Sequence, residues 1–436
     1  METLKFPEAF LWGTATSAYQ VEGGIEKCDW SEEFPAGRAC NHYNLYEKDF
    51  DLLKSLNQNA YRFSIEWSRI EPEEGKFDER EIEHYRKVLL ALKKKNFKVM
   101  LTLHHFTSPL WLAEIGGWEN PEVVFYFLRF AKRIFTEYFD FVDFWITINE
   151  PLVFASESYL DGTWPPKKKS FFSLLNVIKN QIATHKKIFE EFHKIKKDVK
   201  VGIAKNNAHF ESFNPKSYLD KFNVRINRYF WNEFFLNRVK NYLDFIGLNY
   251  YFHQKIKFPS QNKNENKVLS DMSWEIHPEG IYHVLKELKK YKKSRHASLR
   301  SANTSPQTPS VSGTRPARCF PTQGNTQFPR PPSEFGTSQI PIYITENGLA
   351  DAKDKLRKDF IKNHLYWIHR AISEGIDVRG YFHWSLIDNF EWAKGFEPRF
   401  GLVEIDYKTL ERKPRPSAFY YAKICKENTL KLTTNN

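Results

Sequence analysis

The chain has 436 residues, 41% hydrophobic and 16% aromatic, with 12 Trp, 21 Tyr and 38 Phe. So many large rings can bury a substantial core, which excludes a chain disordered throughout; no run of 18 apolar residues occurs, so no membrane-spanning helix is expected. The net charge of +12 is spread over lysine-rich stretches such as KKKNFK and KIKKDVK, with no base-reading helix and no RNA-binding signature, so solvated helix faces rather than a nucleic-acid partner are expected.

The chain opens with METLKFPEAFLWGTATSAYQ, which lacks a basic region followed by an apolar one and so does not read as a signal peptide. Four scattered cysteines (Cys28, Cys40, Cys319, Cys425) make neither a disulfide framework nor a metal-ligand pattern, and a reduced, cytoplasmic protein is expected. Short runs rich in Val, Ile, Phe and Tyr then predict strands at residues 10–16, 60–65, 98–104, 144–149, 200–205, 244–249, 340–345 and 378–384. Amphipathic stretches between them predict helices over 44–56, 78–95, 121–138, 171–197, 222–242 and 354–374. In DEREIEHYRKVLLALKKK, Ile82, Tyr85, Leu89 and Leu92 share one face, with acids first and lysines last as the helix dipole prefers.

Residues 293–339 differ from their surroundings. They hold 14 Ser or Thr, 7 Pro, 3 Gly and six Lys/Arg against one Glu, without helical or strand periodicity. Such a composition cannot bury enough surface to offset chain entropy, so the segment reads as a disordered insertion before the seventh strand. The rest alternates strand and helix eight times. That pattern implies right-handed parallel crossovers and a single α/β domain over 1–436, a (β/α)8 TIM barrel. An open doubly wound sheet competes, but its GxGxxG phosphate loop is absent.

A barrel of this kind carries its active groups at the carboxyl ends of the strands. WITINEP and IYITENG are both apolar strands that end abruptly in a carboxylate, Glu150 and Glu346. Singly, either is as well read as a helix N-cap or a ribose-binding acid. Paired at one barrel mouth, they suit glycosidic bond cleavage, where one carboxyl protonates the leaving oxygen and the other attacks the anomeric carbon or activates water. Trp384, Trp392, Trp274 and Tyr251 would offer flat faces to sugar rings; Gln20, His105, Asn149 and Glu391 would bond hydroxyls. His104-His105 is no zinc signature, since HExxH is absent, and neither metal nor organic cofactor is expected.

These segments bring the chain to a known family. FPEAFLWGTATSAYQVEGG, NAYRFSIEWSRIEP, TLHHFTSPLWL, TINEP, IGLNYY, YITENGL and GYFHWSLIDNFEWAKGFEPRFGLVEIDY, in that order, resemble the family 1 glycoside hydrolases, the retaining β-glucosidase and β-galactosidase group. The resemblance implies a (β/α)8 barrel, Glu150 as general acid/base and Glu346 as nucleophile. It also implies Gln20, His105, Asn149, Glu391 and Trp392 as holders of the non-reducing sugar, Trp384 as its stacking platform, and Arg62 and Tyr251 as neighbours of the nucleophile. The implied ligand is a small β-glycoside. Neutral β-glucosides, with β-galactosides and β-fucosides as further candidates, are favoured over 6-phosphoglycosides, because a carboxylate at 391 would repel phosphate; a sugar-binding barrel without catalysis and a scaffold recruiting partners through the insertion are the rivals. The entrance loop after CDW and the segment between AHFESFNP and DFIGLNYY are shorter than the family pattern, which implies a more open cleft. The oligomeric state is not legible.

Overall fold

The computed structural model describes residues 2–259, 262–292 and 339–432. Eight parallel strands close a barrel in chain order: β1 Leu11–Ala15, β2 Ala60–Ser64, β3 Lys98–His104, β4 Phe144–Asn149, β5 Val201–Asn206, β6 Phe245–Asn249, β7 Ile342–Gly348 and β8 Val378–Trp384. β8 pairs with β1 and closes the ring. The strands are buried on both faces, which is why they read as continuous apolar runs rather than as alternating ones.

The barrel interior is packed. Phe144 on β4 meets Tyr343 on β7 with ring centroids 5.0 Å apart, although the two strands are not neighbours, so the contact crosses the interior. Room for such rings comes from strand glycines: a Cβ at Gly202 would stand 2.7 Å from the Phe245 ring, and one at Gly13 2.7 Å from the Phe382 ring. A second, larger core lies between strands and helices, where Phe135 of helix Val123–Tyr138 stacks on Phe192 of helix Phe171–Ile195 at 3.9 Å. Helix Glu79–Lys94 buries Ile82, Tyr85, Leu89 and Leu92 as its spacing predicts, and Asp78 caps it by accepting from the Arg80 N–H.

Two predicted elements differ most from expectation. β7 begins at Ile342, because the Ile340 N–H is held by the Tyr291 carbonyl ahead of the ladder. It then runs past residue 345 to Gly348, with a register shift between Ile344 and Glu346 that carries Glu346 to the mouth. The helix expected over 222–242 is split into helix Tyr218–Arg228, one π-turn at Tyr229–Glu233 and helix Phe234–Val239, and it exposes Tyr218, Leu219, Phe222 and Phe230. Helices Pro151–Tyr159, Glu279–Leu288 and Pro416–Glu427 were not predicted.

Smaller pieces finish the shell. Glu2–Lys5 pairs antiparallel with Thr429–Leu432. At the rim, His209–Ser212 pairs in parallel with His253–Ile256. The segment expected to be a disordered insertion lies outside the described residues except for Gln339, which bridges antiparallel to Lys292 at the amino-terminal side of β7. Among the described residues no helix is long and apolar enough to cross a membrane.

Candidate active site

A cavity of about 550 Å³ opens at the carboxyl ends of the strands and is lined by Glu150, Glu346, His105, Asn149, Tyr251, Trp274, Trp384, Glu391 and Trp392. Gln20 and Arg62, expected here too, lie just behind that surface and reach it through hydrogen bonds. The sequence-predicted residues are thus brought together.

β4 delivers Glu150. Its backbone is left-handed (φ 43°), a conformation that costs an ordinary residue roughly 1 kcal/mol or more. It stands at the N-cap position of helix Pro151–Tyr159, yet its side chain makes no capping bond. The helix-cap reading therefore fails for this residue: the carboxylate is turned into the cavity. There Glu150 Oε1 accepts from Asn249 Nδ2 (2.8 Å) and Asn206 Nδ2 (3.1 Å). Burial, and next the negative charge of Glu346, push its carboxyl up to about 7.

β7 delivers Glu346, which is held differently. Arg62 Nη1 donates to Oε1 at 2.5 Å, and the Tyr251 hydroxyl donates to Oε2 at 2.8 Å. Arg62 is 1% exposed and spends its other donors on the Thr345 carbonyl, Thr102 Oγ1 and Asn149 Oδ1. A guanidinium so fixed cannot swing away. Burial, then the charge of Glu346, push the Tyr251 phenol well above its ordinary range, so it stays a donor. The two carboxyl groups have opposite surroundings: amides and apolar walls around Glu150, a cation and a phenol on Glu346. A bonded path joins them through Asn249, Asn149 and Arg62.

The sugar-facing side is aromatic. The His105 ring lies nearly parallel to Trp384 (23°) and to Trp392 (16°), and its Nε2 is 3.2 Å from Asn149 Nδ2. Burial, then the Arg62 charge, hold His105 well below its ordinary pKa, so it is neutral. Gln20 Nε2 donates to Asn389 Oδ1, to the Phe390 carbonyl and, at 3.3 Å, to Glu391 Oε2. Burial first, then the charges of Glu346 and Glu150, raise Glu391 to about 8. Its surroundings therefore favour the protonated form more than an exposed carboxylate's would.

Other strand-end residues are structural. His104 points away from the cavity and accepts from Trp118 Nε1. Glu66 caps helix Trp67–Ile70. Asp388 accepts two bonds from Arg415 (both 2.9 Å), with Arg399 3.3 Å away. Asn206, Asn249 and Lys205 were missed as site residues. The first two end β5 and β6 as Asn149 ends β4, and that pattern could have found them. Lys205 interrupts the apolar run VGIAKN, a signal in itself. It is 1% exposed, sits over the Trp231 ring, bonds the Asn206 carbonyl, and is brought down to about 7 by burial, against the opposing pull of Glu150.

A closed (β/α)8 barrel with two differently tuned carboxyl groups and indole walls at its mouth defines a glycoside hydrolase. Comparison with known proteins agrees: residues 2–241 and 332–430 match Glycosyl hydrolase family 1, and the chain belongs to that family. It is 31% identical to "Beta-glucosidase A" of Thermotoga maritima, over 99% of this chain and 100% of that protein. The structure of a beta-glycosidase from Pyrococcus horikoshii superposes with a TM-score of 0.83 at 34% identity, covering 99% of this chain and 97% of that one. That of a beta-glucosidase from Thermotoga maritima in complex with glucoimidazole gives 0.81 at 30%, covering 97% and 99%. The chain is a retaining β-glycosidase that acts on terminal non-reducing residues by double displacement.

Proposed function

We propose that the substrate is a neutral β-D-glucoside, with Glu346 as nucleophile and Glu150 as acid/base. The similarity to proteins named beta-glucosidase supports the sugar, and the observation that carries the two roles is the asymmetry of the carboxyl groups: Arg62 and Tyr251 grip both oxygens of Glu346, while Glu150 is raised to about 7. A carboxylate that must attack needs its negative charge stabilised, and a group that must give a proton near neutral pH needs to hold one.

In the first displacement a Glu346 oxygen bonds to the anomeric carbon as the bond to the aglycone oxygen breaks. Glu150 passes its proton to that oxygen, and the aglycone leaves as an alcohol. Esterified Glu346 carries no charge, so one of the two influences raising Glu150 disappears and its pKa falls. Glu150, now ionised, takes a proton from water as the water oxygen attacks the anomeric carbon. The ester bond breaks, and Glu346 regains its charge. Asn149, fixed by Arg62 and Asn249, would bond the 2-hydroxyl; Trp384 would stack on the sugar, with His105, Gln20, Glu391 and Trp392 around its other hydroxyls. The three described cysteines are buried and unpaired, which suits a reducing, cytoplasmic setting.

The test is a pair of variants. Glu346→Gly abolishes turnover, and azide restores release from an activated aryl β-glucoside. Glu150→Ala slows substrates with poor leaving groups far more than those with good ones. Full activity in the first, or equal losses on both substrate types in the second, would overturn the assignment.

A further inference from the structure

Outside the cavity, the rim holds a group of histidines that glycoside hydrolysis does not use. His209 opens strand His209–Ser212, and His253 opens strand His253–Ile256 directly beside it in the parallel register. His277 comes from the turn that leads into helix Glu279–Leu288. Each offers a ring nitrogen, and these three nitrogens lie within 4.8 Å of one another. The rings lie nearly parallel, with His253 and His277 centroids 3.9 Å apart. No sequence motif announces the group, because its members are separated by 44 and 24 positions, as their numbers show.

We propose that His209, His253 and His277 form a binding site for a divalent transition-metal ion, with Glu211 as the fourth ligand. Three observations support it. In each ring one buried nitrogen (His209 Nδ1, His253 Nε2 and His277 Nε2) has no hydrogen-bond partner among the described residues. Buried polar groups are usually paired, and these three unpartnered nitrogens come from one cluster. His253 Nδ1 is paired with Glu275 Oε2 at 2.6 Å, the carboxylate–imidazole pairing that orients a metal-binding histidine. Glu211 Oε1 lies 3.3 Å from His253 Nε2, where it can reach the same ion, although Lys255 also approaches it at 3.8 Å.

The donor set selects the ion class. Three imidazoles and one carboxylate suit zinc, cobalt or nickel rather than magnesium or calcium. Imidazole must be neutral to bind. Metal–nitrogen bonds of about 2.1 Å would draw the three nitrogens to roughly 3.4 Å apart, which side-chain rotation supplies. The role follows from the neighbours. Ala208, Phe252 and Trp274, one to three residues from the three ligands, line the cavity. A bound ion would tie the segment bearing Trp274 to the extensions of β5 and β6, fixing the wall on the leaving-group side. It would act behind that wall and take no part in the chemistry, so it stands whatever the roles of Glu150 and Glu346.

The experiment is a cobalt(II) titration of the untagged, chelator-stripped full chain, followed by visible absorption and competed with zinc. Saturation at one cobalt per chain is expected. His253→Ala and His277→Ala should each weaken binding at least about tenfold, while His369→Ala, at a histidine outside the group, binds as the parent does. Melting temperatures in chelator confirm that the variants are folded. Absence of saturable cobalt absorption in the parent, or equal binding in all three variants, would overturn the site. In the supporting case, zinc also raises the melting temperature of the parent and not of His277→Ala.

Discussion

Replacing Asn206 with alanine removes one of the two amide donors on Glu150 Oε1 and leaves the shorter bond from Asn249. A hydrogen bond to a charged acceptor contributes about 1.5–3 kcal/mol, against about 0.5–1.5 kcal/mol to a neutral one. At 3.1 Å the Asn206 bond is the longer of the pair, so a difference of about 1 kcal/mol between ionised and protonated Glu150 is reasonable, equal to about 0.7 pKa unit. The donor favours the ionised form, so its loss raises Glu150 above its present value of about 7. Glu150 works protonated in the first displacement, so the alkaline limb of kcat/KM should move upward by that amount. At about pH 8 the variant should keep a larger fraction of its own maximum than the parent does. The assay is kcat/KM for an aryl β-glucoside across the pH range, with thermal melting to show that the fold is intact. A limb that stays put or moves down in a well-folded variant would refute the electrostatic account of Glu150.

Lys205→Met removes a buried amine whose protonated form opposes the rise in Glu150, so the same limb should again move up, though by less than in Asn206→Ala because burial leaves Lys205 only partly charged there; a downward shift would show that Lys205 does not act on Glu150. Tyr251→Phe deletes the donor to Glu346 Oε2 and should lower kcat/KM about ten- to a hundredfold with unchanged melting, read by steady-state kinetics. Asp388→Ala leaves buried Arg415 without its carboxylate and should cost about 3–5 kcal/mol in urea denaturation. A loss below about 1 kcal/mol there would mean that water replaces the missing partner.

Much of the fold was legible because a parallel strand buried on both faces has to be an apolar run, and a polar residue at its carboxyl end stands out. Glu150, Glu346 and Asn149 were visible for that reason. Arg62 was reached through the family resemblance of NAYRFSIEWSRIEP. What escaped depends on three-dimensional closeness. Asn206 and Asn249 matter because β5 and β6 bring both amides to one oxygen of Glu150. The upward shift of Glu391 follows from burial beside two other acids, which no local window contains. The antiparallel pairing of Glu2–Lys5 with Thr429–Leu432 joins the two ends of the chain, and neither piece is apolar enough to announce itself. The rim histidines are the extreme case, three residues from three segments with no shared spacing.

The bridge between Lys292 and Gln339 has an engineering consequence. Two backbone points that touch can be reconnected by a tight turn or by a whole foreign module with adjoining termini, and the strands above need not notice the exchange. Since this junction stands at the opposite pole from the catalytic mouth, a fluorescent or affinity domain spliced there would ride on the enzyme without standing in the path of its sugars.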